Sequence, residues 1–215
     1  MLADRLKTLV PSATLAMNAK ARAMRAQGVD VISFSVGEPD FDTPARIKEA
    51  AVRALEKGHT KYTEVGGIAE LRAAVCHKLK RDHGLEYTAD EVTVSCGAKH
   101  TLYNIVMALV NPGDEVLIPS PYWVSYPEQV RLLGGVPVAV ETHESTGFDL
   151  DPAAVRRAVT PKTKLIILDS PGNPTGAVFS AAALEEVARL AVERGLWVVS
   201  DECYEALTYE GRHVS

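Results

Sequence analysis

Four short strings hold residue types suited to chemistry, and each follows an apolar run rich in valine and isoleucine. The first, Ser95-Cys96-Gly97-Ala98-Lys99-His100, is a small-residue turn entering a helical pattern. Its free backbone N–H groups suit an anion such as phosphate at the positive end of a helix. The turn is neither GxGxxG nor GxxxxGK[ST], and a plain strand-to-helix connection would use the same residues. The second, Pro119-Ser120-Pro121-Tyr122-Trp123, sets two aromatics after a proline-stiffened strand end, where they could lie against a planar ring or simply pack into the core. In the third, Ser170-Pro171-Gly172-Asn173-Pro174-Thr175-Gly176, prolines and glycines frame one amide side chain, as they also would in a bare turn. In the fourth, Asp201-Glu202-Cys203-Tyr204, an acid ends the run LWVVS, which reads as a strand buried on both faces. A buried carboxylate needs a partner, although capping a following turn is an alternative task for Asp201.

Together the strings offer an anion cradle, an aromatic plate, an amide donor, and a carboxylate with a phenol three residues later. That set suits pyridoxal 5′-phosphate (PLP), whose ring nitrogen must be held protonated by an anion and whose phenolic oxygen needs fixed donors. No Ser-His-Asp arrangement or zinc-type spacing competes, so no metal is expected. Cys76, Cys96 and Cys203 are widely spaced and read as reduced thiols.

The elements that must position these loops are legible from periodicity. From Asp90 onward the short runs EVTVSC, EVLIP, VPVAV, KLIIL and LWVVS alternate with stretches of helical period. That alternation implies an α/β fold with a mostly parallel sheet flanked by helices. Upstream, PARIKEAAVRALEKG and IAELRAAVCHKLKRDHG read as helices ending at Gly58 and Gly84. Residues 1–45 lack the strand-helix rhythm and end in the turn-rich GEPDFDTP, which places an architectural boundary near Pro44. With 215 residues, 47% hydrophobic content and a net charge of -5 spread along the chain, neither nucleic acid nor a membrane is an expected partner. No apolar run has the length of a signal peptide core or a membrane span, so a cytoplasmic location is expected.

The strings GEPDFDTP (37–44), KYTEVGGIAELR (61–72), SPYWVSYPE (120–128), SPGNPTGAV (170–178) and SDECYEALTYEG (200–211) resemble the fold-type I PLP-dependent aminotransferases. The likeness is greatest to bacterial aspartate aminotransferases of the subgroup that includes thermophilic enzymes. It implies an N-terminal arm and part of a small domain over 1–45, and a large PLP-binding domain over 46–215. It assigns Asp201 to the pyridinium nitrogen, Asn173 and Tyr204 to the phenolic oxygen, and Trp123 to the ring face. The backbone of Gly97, Ala98 and Lys99 falls to the phosphate, and Tyr62 to the phosphate of a neighbouring subunit in a homodimer with shared active sites. Gly37, Trp123 and Asn173 fall to the substrate's α-carboxylate, and Lys99 also to the distal carboxylate of an acidic substrate. A solvated lysine at a helix start is the simpler reading of Lys99.

The resemblance implies transamination between aspartate or glutamate and a 2-oxo acid (2-oxoglutarate or oxaloacetate), with prephenate or another amino-acid aminotransferase and a PLP-dependent lyase as alternatives. Cys203 stands where an aliphatic residue is usual, and Gly172 where close relatives have asparagine. The family's Schiff-base lysine, in an S-x-x-K-type segment, and its C-terminal arginine have no match in these 215 residues. The chain as given is therefore expected to be an inactive, incomplete copy of the enzyme. The resemblance implies that two family strands following position 215 sit in the sheet between the strand at 92–95 and that at 196–200, so the chain is also expected to be aggregated or molten by itself.

Overall fold

The computed structural model describes residues 3–10, 13–34, 37 and 39–215. The chain divides into two compact units, one of Val10–Ile68 and one of Ala69–Ser215 with the N-terminal segment to Leu9. The first holds α1 (Ala13–Ala26) and α2 (Ala45–Glu56), so this division does not fall at the boundary read near Pro44. The second holds α3 (Ala69–His83), α4 (Ala98–Leu109), β1 (Glu115–Ser120), α5 (Ser125–Leu132), β2 (Val136–Glu141), α6 (Pro152–Ala158), β3 (Thr163–Asp169), α7 (Ala181–Arg194) and β4 (Trp197–Asp201).

The four strands form one parallel sheet in the order β2-β1-β3-β4. Side chains alternate between its faces with the two-residue strand period. Val116 and Ile118 of β1 and Leu165 and Ile167 of β3 pack with Leu102 and Val106 of α4 and Tyr126 and Val130 of α5. Leu117, Ile166 and Leu168 point the other way, onto Val155 of α6 and Val187 and Leu190 of α7. Each such fully buried side chain stabilises the fold by roughly 1.5–3 kcal/mol. Helix boundaries follow local chemistry. The Asp151 carboxylate accepts from the Ala153 N–H ahead of α6, with Pro152 as the first helical residue. The Ser180 hydroxyl accepts from the Ala183 N–H ahead of α7, which ends at Gly195 in the left-handed region.

Two local expectations are corrected. EVTVSC is not a sheet strand. Ala89–Glu91 forms a 3-10 turn inside a Thr88–Glu91 capping box, and the backbone runs on extended without joining the ladder. Its valines give it strand composition, but pairing is a tertiary event that composition does not decide. LWVVS is a strand but not a buried one: Trp197 is 54% exposed and Val198 41%. The cause is position, since β4 is the sheet's edge and pairs only with β3 among the described residues.

Candidate functional site

Ligands of open parallel sheets meet the loops that leave the carboxyl ends of the strands. Here two of those ends are acidic. Asp169 is the last residue of β3 and Asp201 the last of β4, and the register makes them Cα partners. One Asp201 oxygen, Oδ2, accepts from the Tyr126 hydroxyl at 2.8 Å, and Oδ1 accepts from the Cys203 N–H at 3.2 Å. Asp169 Oδ2 accepts from the Asn173 N–H at 2.9 Å, which fastens the loop bearing the Asn173 side chain to the end of β3. Burial pushes the Asp169 carboxyl up to about 6; the Asn173 N–H opposes that rise and the Asp201 charge adds to it. Burial, then the charges of Asp169 and Asp201, raise the Tyr126 hydroxyl far above the usual phenol value and keep it a donor.

The loop from Ser170 to Gly176 is braced from inside. Gly172 donates to Ala177 O at 2.9 Å, Gly176 donates to Gly172 O at 2.7 Å, and Phe179 N–H donates to the Ser170 hydroxyl at 3.0 Å. A Cβ on Gly172 would lie 3.1 Å from the Asp169 carbonyl, so the turn runs tight against the strand end. Trp123 meets Tyr126 edge to face with ring centroids 5.4 Å apart, and the Lys99 ammonium stands 4.7 Å from the Trp123 ring centroid. The buried Gln129 side chain donates to the Lys99 carbonyl at 2.9 Å, tying α5 to the start of α4. Gly97 caps α4 at φ 84°, conformational territory that favours glycine, and no side chain caps that helix.

An unbroken line of contacts therefore joins Lys99, Trp123, Tyr126, Asp201, Asp169 and Asn173. Gly97 and Ala98 adjoin it at the exposed start of α4, and Tyr204 stands half-buried three residues after Asp201. Gly37 and Tyr62 belong to the Val10–Ile68 unit, where both are exposed. Sequence reasoning missed Tyr126 and Asp169. The signals were present: Asp169 ends KLIIL as Asp201 ends LWVVS, and Tyr126 follows Trp123 by about one helical turn.

A second polar cluster lies elsewhere in the same unit. His83, Glu202 and Glu205 place ligand-type atoms within 4.8 Å of one another, and His213 Nε2 is 3.1 Å from Glu202. Lys78 pairs with Glu205 there and brings a cation of its own. Burial opposes ionisation of Glu205, but Lys78 and His83 outweigh it and hold that carboxyl below its usual range. This cluster ties the end of α3 to the segment after β4.

A parallel α/β sheet with its polar side chains gathered on strand-end loops is the architecture of an open-sheet, ligand-binding enzyme domain. The chain belongs to the aminotransferase class I and II family, whose model matches residues 29–215. It is 54% identical over 214 residues to an aspartate/prephenate aminotransferase of Thermus thermophilus, covering 100% of this chain and 56% of that protein. It is 50% identical over 211 residues to an aspartate aminotransferase of Bacillus sp. (strain YM-2), covering 98% and 54%. Among solved structures, the aspartate aminotransferase of Thermus thermophilus with maleate superposes with a TM-score of 0.97, again over 100% of this chain and 56% of the other. An alanine aminotransferase of Pyrococcus furiosus, 36% identical, reaches 0.96 over 100% and 55%. The chain thus spans about half the length of the relatives it matches.

Proposed function

We propose that the protein is a PLP-dependent aminotransferase that exchanges the amino group of aspartate or glutamate with a 2-oxo acid, 2-oxoglutarate or oxaloacetate. The observation that carries the reading is the Asp201 carboxylate, fixed at a strand end by a Tyr126 donor and a backbone N–H. The donor set fits the cofactor: an anchored anion, an indole, an amide on a braced loop, and a helix start that no side chain caps. When bound, PLP supplies an electron-withdrawing ring that stabilises negative charge developing at the substrate's Cα.

The chain's own residues do the holding. Asp201 keeps a proton at the ring nitrogen, and Trp123 covers the ring face. The Asn173 amide and the Tyr204 hydroxyl donate to the phenolic oxygen, and the Gly97, Ala98 and Lys99 N–H groups take the phosphate. Asn173, Trp123 and Gly37 meet the substrate's α-carboxylate, and Lys99 its distal carboxylate. Close relatives carry aspartate or aspartate/prephenate in their names, which supports an acidic substrate. No helix among the described residues is long and apolar enough to cross a membrane, in keeping with a cytoplasmic enzyme. Tyr62, exposed in its unit, is assigned to a neighbouring subunit of a homodimer.

The test uses the native protein. Asp201→Ala should retain PLP through the phosphate contacts yet lose about 10²–10³ in kcat for transfer from aspartate to 2-oxoglutarate, the size expected for removing one preorganised charge. A near-normal kcat would leave Asp201 as no more than a turn cap.

A further inference from the structure

Tyr126 and Gln129 lie three residues apart on α5 and so share a side of that helix, yet each reaches a different part of the site. The Tyr126 hydroxyl donates to Asp201 Oδ2 at 2.8 Å, and Gln129 Nε2 donates to the Lys99 carbonyl at 2.9 Å. One short helix thus holds both the strand-end carboxylate and the first turn of α4. Gln129 is only 8% exposed, and its Oε1 accepts from no group among the described residues. The amide cannot turn over, since Oε1 would then face the Lys99 carbonyl, acceptor against acceptor. A buried oxygen left without a donor is costly, and an apolar side chain of similar size would avoid that cost. What the amide supplies in return is the hydrogen given to Lys99, and departures from a local rule of this kind gather at functional sites. The turn ahead of α4 has bonds of its own: Cys96 N–H donates to His100 Nδ1 at 3.3 Å, and His100 N–H donates to Gly97 O at 3.1 Å. Gln129 therefore sets where that turn stands and not how it is folded.

We propose that Gln129 is a positioning residue that fixes the span between the turn at residues 97–99 and the Asp201 carboxylate. The inference deepens the proposed function and rests on it, because those two places are the ones assigned to the cofactor's phosphate and ring nitrogen. Phosphate and ring are joined by a short linker, so the two places must stand at one separation to hold both ends at once. Helix α5 sets that separation, through Tyr126 to Asp201 and through Gln129 to the Lys99 backbone. A molecule held at both ends gains an effective concentration for its second contact, and a wrong span forfeits that gain without weakening either contact alone.

Titration calorimetry of the native, cofactor-free protein tests the span with three probes: pyridoxamine 5′-phosphate, and its parts pyridoxamine and inorganic phosphate, each part read by its displacement of the whole. None of the three carries an aldehyde, so none bonds covalently to a lysine and each titration reads non-covalent contacts alone. In Gln129→Met, which keeps the length and loses the donor, affinity for pyridoxamine 5′-phosphate should fall about 10-fold, while those for the two parts hold within about twofold. Gln129→Asn, one methylene too short to reach Lys99, carries the same expectation should the Met variant not fold. Whole-ligand affinity equal to wild type in a folded variant overturns the proposal. So does a parallel loss for phosphate alone, which would make Gln129 a brace of the phosphate turn only, and so does failure of either part to displace the whole from wild type. Wild type that binds none of the probes would defeat the functional reading and the span together, whereas wild-type binding matched by the variants defeats the span alone.

Discussion

Lys99 illustrates how one side chain can answer to two partners. Its ammonium lies 4.7 Å from the Trp123 ring centroid, at the start of a helix that carries no side-chain cap. A cation parked on an indole is held by about 0.5–1 kcal/mol when exposed, weak enough for a carboxylate to draw it away. Lys99→Ala should therefore lower kcat/KM for aspartate far more than for alanine, since only the former presents a second carboxylate. Equal losses on both would assign Lys99 to phosphate or to structure. At this scale the sequence singled out Asp201 because an acid after a valine-rich run is chemically conspicuous. Asp169 had the same signal, yet its bearing on Asp201 depends on which strands are neighbours. That pairing is a property of the sheet and not of either string. Tyr126 was hidden by its role in the core, where an aromatic on a helix reads as packing and its hydroxyl partner is 75 residues away.

At the scale of elements, the short apolar runs at β1, β2, β3 and β4 and the helical runs between them were legible because valine, isoleucine and leucine concentrate in them, and those of β1 and β3 are buried on both faces. What sequence could not decide was neighbourhood. EVTVSC has strand composition without a ladder partner, and β4 has core composition at a sheet edge. Close approach was equally invisible. Gly135, between α5 and β2, passes so near the core that a Cβ would sit 2.7 Å from Val110 Cγ1 and 2.9 Å from Val130 Cγ1. Both valines are themselves buried, so neither can yield freely. Gly135→Ala should cost about 1–3 kcal/mol by overpacking, read as a lower denaturation midpoint of the native protein at unchanged slope. A neutral result would mean the α5–β2 turn can move away from the core.

Taken as a whole molecule, the sheet-bearing unit carries apolar surface in an unusual place. Val192 of α7 is 85% exposed, and the edge strand β4 presents Trp197 and Val198 along a side with no ladder partner among the described residues. Exposed apolar edge strands template pairing with other chains. Prepared as these 215 residues, the polypeptide should self-associate in sedimentation velocity runs, and Val198→Lys should shift the distribution toward the monomer. Association unchanged by that lysine would place the contact elsewhere. The start of α4 carries a different kind of incompleteness. The first-turn N–H groups of this exposed helix start have no side-chain acceptor and are open to water or to an anion. An anion that binds there in the folded state alone would couple its concentration to stability: each tenfold rise in free ligand above the dissociation constant would add about 1.4 kcal/mol to the folded state.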